Sequence, residues 1–178
     1  MKYIRRMMSF LAFRAVIFTV AAAALVCAFY IAFNLGNAYV LISEGMEKRV
    51  DVALTRENAT DLNNYFTGSF LNDDPVLEYA FSDVSPYLPY TITSYDYKVT
   101  VESISVWPWG NEIQCEIVEH VDNITGNVKA AYASSVSGKP AVWSSGRYFL
   151  RLTKQSNGQW KISAIHQDPT YKDTSTGK

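Results

Sequence analysis

The sequence has few of the residues that most enzyme and metal sites require. Its 178 residues include only two cysteines, Cys27 and Cys115, and two histidines. One cysteine lies in the longest apolar run and the other in a predicted strand, so neither a disulfide framework nor a Cys/His zinc site is expected. The chain also lacks a glycine-rich phosphate loop and a serine nucleophile elbow. We therefore expect no cofactor and no metal site.

Acidic residues are absent from the first 43 positions, where four basic residues occur: Lys2, Arg5, Arg6 and Arg14. Beyond residue 43 lie all 17 acidic residues and 12 of the 16 basic residues, a net charge of 12 − 17 = −5. A domain of this charge is not expected to bind nucleic acid or an anionic lipid surface, because both repel it.

One long apolar run follows the basic residues. Residues 15–33 contain no charge, and as a helix they extend about 28 Å, close to the roughly 30 Å hydrocarbon core of a bilayer. The positive-inside rule places residues 1–14 in the cytoplasm. We therefore predict a transmembrane helix over 15–35, with the bilayer as its partner, in a cell-membrane protein whose C-terminal domain is extracytoplasmic.

A cleaved signal peptide is the competing interpretation, because it too combines basic residues with an apolar run. Small residues at 21–24 could form a cleavage site. Cleavage there would leave an apolar region of under 10 residues after Arg14 and a mature chain beginning with more apolar residues. The uncleaved anchor is therefore favoured.

Helical patterns fill the first half of the remaining chain. Apolar residues recur at three- and four-residue steps over 37–57, which predicts an amphipathic helix that can continue from the span, with Gly36 and Gly45 as weak points. Thr60 is a candidate N-cap for a second helix over 61–66. Pro75 suits the first turn of a short third helix over 75–81.

Strand patterns follow from residue 90. Alternating apolar residues predict a strand over 95–106, with a phase slip near Glu102 that indicates a β-bulge. Further strands are predicted over 112–122, 128–134, 147–154 and 159–166, with Asn157-Gly158 as the tightest hairpin. The polar residues 170–178 are predicted to form a disordered tail. Helices that precede an antiparallel sheet indicate an α+β domain over 36–169.

The order of these elements resembles the nuclear transport factor 2-like fold (also called cystatin-like or ketosteroid isomerase-like), over roughly 37–169. The features behind this resemblance are the long helix before Thr60, the segment 62–71, the bulged strand over 95–106 and the closing segment 158–162. The resemblance implies a cone, in which a curved antiparallel sheet wraps around a long helix. Membrane-anchored examples resemble VirB8-like assembly subunits of secretion or conjugation machines, or orphan surface proteins of Gram-positive bacteria.

Enzymes of this fold family place acid–base residues in the open mouth of the cone. Counting outward from the Asn157-Gly158 hairpin sets Phe149 opposite His166 and places His166 on one face with Trp160. Asp168 lies two residues further along, so His166 and Asp168 are weak candidates for a base and its orienting carboxylate. The alternative is a histidine at the rim of the sheet without a catalytic role, which we favour.

Other candidates have simpler structural explanations. Cys115 alternates with apolar residues and is expected in the core. Glu112, Glu116 and Glu119 are expected on a solvated face. The Asp73-Asp74 pair could form a weak Ca²⁺ loop, but no further ligands follow at regular spacing, so a turn and an N-cap are favoured.

The segment Trp107-Pro108-Trp109-Gly110 is the most unusual local feature. Two tryptophans at a hairpin tip either cover the open end of the core or form an exposed contact for a protein or a membrane interface. The first alternative is slightly favoured. Trp143, in the predicted long loop, is a further binding candidate.

These patterns predict a membrane-anchored binding or assembly module without catalytic activity, which binds a protein partner or associates with itself at the membrane surface. A small-molecule or peptide binder that uses the cone cavity is the first alternative. An isomerase- or dehydratase-like enzyme using His166 is the second, and it requires this histidine to face the cavity.

Overall fold

A computed structural model describes residues 2–136 and 138–171 of the chain. Most of the predicted tail, residues 172–178, lies outside the described residues. The first element is a single helix, α1, Lys2–Thr55, which passes through Gly36 and Gly45 without a break. Its 54 residues extend about 80 Å, so the two glycines are not the weak points that the sequence suggested.

The N-terminal part of α1 projects from the rest of the molecule. Among the described residues, one helical segment, Phe10–Thr55, is long and apolar enough to cross a membrane, and its most apolar window has a mean hydropathy of 2.5. None of that window is buried by the remainder of the chain. This agrees with a membrane-spanning segment rather than a core helix, which would be covered by its neighbours.

The C-terminal part of α1 is the central helix of the domain. Ala38, Ile42, Met46 and Val50 are fully buried, and their four-residue spacing places them along one face of the helix. The predicted amphipathic helix is therefore confirmed, and it continues directly from the apolar segment.

Three short helical segments follow α1. A 3₁₀ helix, Ala59–Asn64, is capped by Asn58, so the prediction of Thr60 as the N-cap was wrong. Thr60 is instead the residue whose backbone N–H binds the Asn58 side chain, at 2.9 Å. Helix α2, Gly68–Asn72, and helix α3, Pro75–Phe81, come next, and α3 has Asp74 as its N-cap, as predicted.

Four antiparallel strands form one open sheet in the order β1-β2-β3-β4. Their bounds are β1, Tyr90–Ser105, β2, Glu112–Val128, β3, Gly146–Lys154, and β4, Trp160–Gln167. A helical half followed by an antiparallel sheet confirms the α+β class. The predicted bulge in the first strand is present, as a register shift between Val101 and Ser103.

The predicted turn at 124–127 and the strand over 128–134 were wrong. Strand β2 continues to Val128, which pairs with Tyr90, and a short 3₁₀ helix, Ala130–Tyr132, follows. Two residues that are typical of turns, Asn123 and Gly126, instead lie within β2 and allow its irregular pairing with β1. Asn123, at φ 51°, lies in a bulge. Gly126 lies so close to β1 that a Cβ atom would come within 2.8 Å of the Thr91 carbonyl oxygen.

In the outer part of the β3–β4 hairpin the register is as predicted, with Phe149 opposite His166 and Leu150 opposite Ile165. Next to the turn it is shifted by one residue, with Lys154 opposite Trp160. One irregularity was missed. Arg151 pairs with Ala164 whereas Leu152 pairs with Ile162, so Ser163 is an extra residue in β4. Because a one-residue slip moves every later side chain to the other face, this bulge changes the face on which the end of β4 presents its residues.

The core lies between α1 and one face of the sheet. Ile113, Cys115 and Ile117 of β2 are buried there, together with Leu152 of β3 and Ile162 of β4. The prediction that Cys115 is a core residue is confirmed. Glu119 belongs to the same alternating set and is fully buried, so its assignment to a solvated face with Glu112 and Glu116 was wrong.

Candidate functional site

His166 lies on the outer face of the sheet, away from α1. It is exposed and sits opposite the half-exposed Phe149, whereas Trp160 and Ile162 belong to the inner face. The Ser163 bulge explains the difference from the prediction, which placed His166 on one face with Trp160. An enzyme of the predicted kind requires this histidine to face inward, and His166 faces outward.

Asp168 is engaged in a turn. Its Oδ1 accepts hydrogen bonds from the backbone N–H of Thr170 at 2.8 Å and from the Thr170 hydroxyl at 2.6 Å. These hydrogen bonds lower the pKa of Asp168. The carboxylate thus stabilises the chain after β4, and the structure gives it no contact that would orient the His166 ring.

The outer face around His166 forms an open groove of about 310 Å³. Phe149, Arg151 and Glu116 also line it. Just beside it, Arg147 bridges two carboxylates, with Nη2 at 3.0 Å from Glu102 and Nη1 at 3.3 Å from Glu116. These partly exposed ion pairs organise the surface, and His166 beside them stays exposed.

The interior holds a buried ion pair that the sequence analysis did not predict. Arg49 of α1 donates two hydrogen bonds to Asp74, from Nε to Oδ2 at 2.6 Å and from Nη2 to Oδ1 at 2.7 Å. Arg49 is 3% exposed and Asp74 is 2% exposed. Burial lowers the pKa of Arg49, but the hydrogen bonds and charge of Asp74 outweigh this effect, so the pKa is raised.

Asp74 also caps α3, because its Oδ1 accepts a hydrogen bond from the backbone N–H of Val76 at 3.0 Å. The predicted N-cap role is thus confirmed, and the same carboxylate joins α3 to α1. A bidentate pair of this geometry fixes the angle and the register between two helices.

Glu119 is a further buried titratable group, on the inner face of β2. Trp143 donates its indole N–H to Oε1 at 3.0 Å, and the Tyr97 hydroxyl donates to Oε2 at 3.5 Å. Burial raises the pKa of Glu119, and the positive charge of Arg49 and the two hydrogen bonds only partly oppose this. Burial likewise raises the pKa of Tyr97, with a further contribution from Glu119.

Arg49, Asp74 and Glu119 together form what we call the buried polar cluster. Buried carboxyl groups with a raised pKa serve as proton donors in many enzymes. Here the side chain is fully enclosed and is held by hydrogen bonds from Trp143 and Tyr97, so the cluster fixes how α1, α3 and the sheet pack together. The sequence contains one weak signal of this burial. Glu119 follows Ile113, Cys115 and Ile117 at alternate positions along β2, which places all four on the same face of the strand.

Trp143 is part of this interior arrangement. Besides its hydrogen bond to Glu119, it stacks on Tyr87 with ring centroids 6.4 Å apart and an interplanar angle of 28°. Its N–H is therefore directed inward, and the half-buried indole covers the end of the core near Val121. The structure assigns it a packing role.

Trp107 and Trp109 are exposed, at 67% and 74% of their surface. The favoured expectation, that at least one covers the core, was therefore wrong. Their rings contact each other edge to face, with centroids 6.0 Å apart. The backbone N–H of Gly110 donates to the Trp107 carbonyl at 3.0 Å, which closes a tight turn at the tip of the β1–β2 hairpin.

Comparison with known proteins adds no assignment, since no family model and no curated protein sequence matches the chain. Within residues 2–136 and 138–171, no group of three or more histidine, cysteine, aspartate or glutamate side chains is placed to hold a metal ion. The exposed tryptophan pair is thus the strongest candidate for a binding site.

Proposed function

We propose that this protein is a single-pass membrane protein whose external domain is a binding or assembly module without catalytic activity. One observation supports this best: α1 runs from the apolar segment into the hydrophobic core as one continuous helix. A rigid connection of this kind holds the domain close to the bilayer, unlike a flexible linker, which would let it move away. The partner is therefore another protein, or a second copy, in the same membrane.

The absence of acidic residues before Glu44 and the four basic residues before residue 15 support a cytoplasmic N-terminus and an extracytoplasmic domain. We further propose the nuclear transport factor 2-like cone for the domain. The long helix against one face of a four-stranded antiparallel sheet, and the bulges in β1 that bend a sheet, support this assignment.

Non-catalytic function is supported by where the reactive side chains lie. His166 is on the outer face, and Asp168 is engaged by Thr170. The inner face of the sheet is occupied by large apolar side chains such as Phe66 and Ile162. These observations favour recognition by a surface over chemistry in a cavity.

Two measurements on the full chain in its native membrane test the anchor and its orientation. Extraction at alkaline pH should leave the protein in the membrane pellet. A membrane-impermeant maleimide should label Val142→Cys in intact cells and label Tyr3→Cys only after lysis, because the two exposed positions would face opposite sides. The unmodified chain, with Cys27 and the buried Cys115, is the control. Release at alkaline pH, or labelling of Tyr3→Cys in intact cells, would contradict the proposal.

The partner is tested by in-cell crosslinking from the domain surface, followed by mass analysis of the crosslinked species. A second copy of the chain or another membrane protein is the expected product. Recovery of the chain as an uncrosslinked monomer from several surface positions would argue against an assembly module.

A further inference from the structure

The tip of the β1–β2 hairpin is an uncharged, aromatic surface. Between Glu102 and Glu112 no residue carries a charge, and Trp107 and Trp109 expose most of their rings. Water-facing hairpin tips usually consist of polar residues. Tryptophan is enriched where an apolar ring meets lipid and a polar N–H meets water, at the membrane interface.

Contacts at the same end of the sheet link this tip to the outer end of the apolar segment. Asn111 next to the tip accepts a hydrogen bond from the backbone N–H of Lys154, between N and O at 2.9 Å. The Lys154 ammonium in turn lies 3.3 Å from the Tyr30 hydroxyl of α1. Trp160, at the start of β4, donates its indole N–H to Asn34 at 3.0 Å.

The far part of β1 contacts α1 much further along, where the Tyr95 hydroxyl donates to Asp51 at 3.2 Å. From Asp51 back to Phe33 the helix extends about 27 Å. From Tyr95 forward to Trp107 the extended chain covers about 40 Å. Strand β1 is thus long enough, even when tilted against the helix, to bring the tip level with the end of the apolar segment.

We propose that Trp107 and Trp109 insert into the headgroup region of the bilayer that α1 spans, as a second membrane contact. This inference rests on the proposed membrane-spanning role of α1. The lipid would be a zwitterionic or neutral one, because residues 103–111 include no basic side chain, the neighbouring Lys154 ammonium is directed at Tyr30, and the domain has a net negative charge. Two contacts, one helix and one hairpin, fix the orientation of the domain on the membrane as well as its height.

The test uses the full chain reconstituted in phosphatidylcholine vesicles, with and without lipids brominated near the headgroup, which quench nearby tryptophans. The chain has four tryptophans, two of them at the tip. In the variant Trp107→Phe/Trp109→Phe, the emission that brominated lipid removes should fall by roughly half or more, because interfacial tryptophans are the ones within reach. Trp143→Phe is the matched control and should leave the quenched emission unchanged.

Iodide, a quencher confined to water, provides the second readout. The emission contributed by the tip should be protected from iodide in vesicles. Two results together would overturn the inference: full access of iodide to the tip emission, and equal quenching of the wild type and the Trp107→Phe/Trp109→Phe variant by brominated lipid. The tip would then be free for a protein partner.

Flotation of the same vesicles at alkaline pH separates the two proposals. A chain that floats with an iodide-accessible tip refutes only the second contact. A chain that does not float refutes the membrane-spanning role of α1. Circular dichroism of each variant checks that the fold is retained.

Discussion

Replacing Asp74 with asparagine separates the charge of the buried ion pair from the capping role of the same residue. Asparagine is as good an N-cap as aspartate, so the hydrogen bond to the backbone N–H of Val76 can persist. The asparagine amide has only one acceptor oxygen, however, and its NH₂ group would face a guanidinium N–H. Arg49, 3% exposed, would then keep a buried charge with no carboxylate hydrogen-bonded to it.

Breaking a buried ion pair from one side typically costs about 3–5 kcal/mol. We expect Asp74→Asn to lose an amount in this range from the free energy of unfolding, and Asp74→Ala about 1 kcal/mol more, because the cap is lost as well. For a domain of this size the loss corresponds to a decrease of roughly 10–20 °C in Tm. Asp73→Asn, at the exposed neighbouring position, should change stability by less than about 0.5 kcal/mol.

The assay is thermal or urea unfolding of the full chain in detergent micelles, followed by tryptophan emission and near-UV circular dichroism. Those signals include the half-buried Trp143 and Trp160, whereas far-UV ellipticity would be dominated by the long apolar part of α1 outside the core. Combining Asp74→Asn with Arg49→Met completes a double-mutant cycle, with an expected coupling of about 2–3 kcal/mol. A free energy of unfolding for Asp74→Asn within 0.5 kcal/mol of wild type, or a coupling energy near zero, would refute a stabilising ion pair between Arg49 and Asp74.

Two further variants test the packing and the buried charge. Gly45→Ala should lower the free energy of unfolding by about 1–3 kcal/mol, because its Cβ would lie 3.0 Å from the Tyr65 Cβ. Gly36→Ala has open space around its Cβ and should be neutral or stabilising. Equal effects of the two variants in thermal unfolding would contradict the close approach at Gly45. Burial raises the pKa of Glu119, so the folded state retains this proton to higher pH than the unfolded state, and stability is lost as pH rises above the ordinary glutamate value of about 4.3. Glu119→Gln should therefore unfold at a higher temperature than wild type at neutral pH but not near pH 4. Glu116→Gln is the control and should show no such increase in Tm. An increase in Tm that does not depend on pH would contradict a raised pKa for Glu119.

Local patterns predicted much of the fold. The amphipathic helix, the helix at Pro75 and the β3–β4 hairpin were all found, because helix periodicity, an N-terminal proline and an Asn-Gly turn are short-range signals. The turn predicted at 124–127 failed for a related reason. Glycine and asparagine also serve bulges and close backbone approaches, and the pairing with β1 decides between these uses.

The candidate sites were harder to predict. The face of His166 depended on one extra residue, Ser163, and nothing in the local sequence distinguishes a bulged strand from a regular one there. The pairing of Arg49 with Asp74 joins residues 25 positions apart, and no periodic signal links them. The exposure of Trp107 and Trp109 likewise depended on where the hairpin ends relative to the core.

By itself, the sequence determined the apolar span, the charge asymmetry around it, the α+β order and the faces of α1, because all of these follow from composition and from repeats of two or three to four residues. Only the tertiary structure decided which charges are buried, which face the end of β4 presents, and that the two tryptophans at the tip of the β1–β2 hairpin are exposed. These depend on register and on contacts between distant segments, where a one-residue slip exchanges inside for outside.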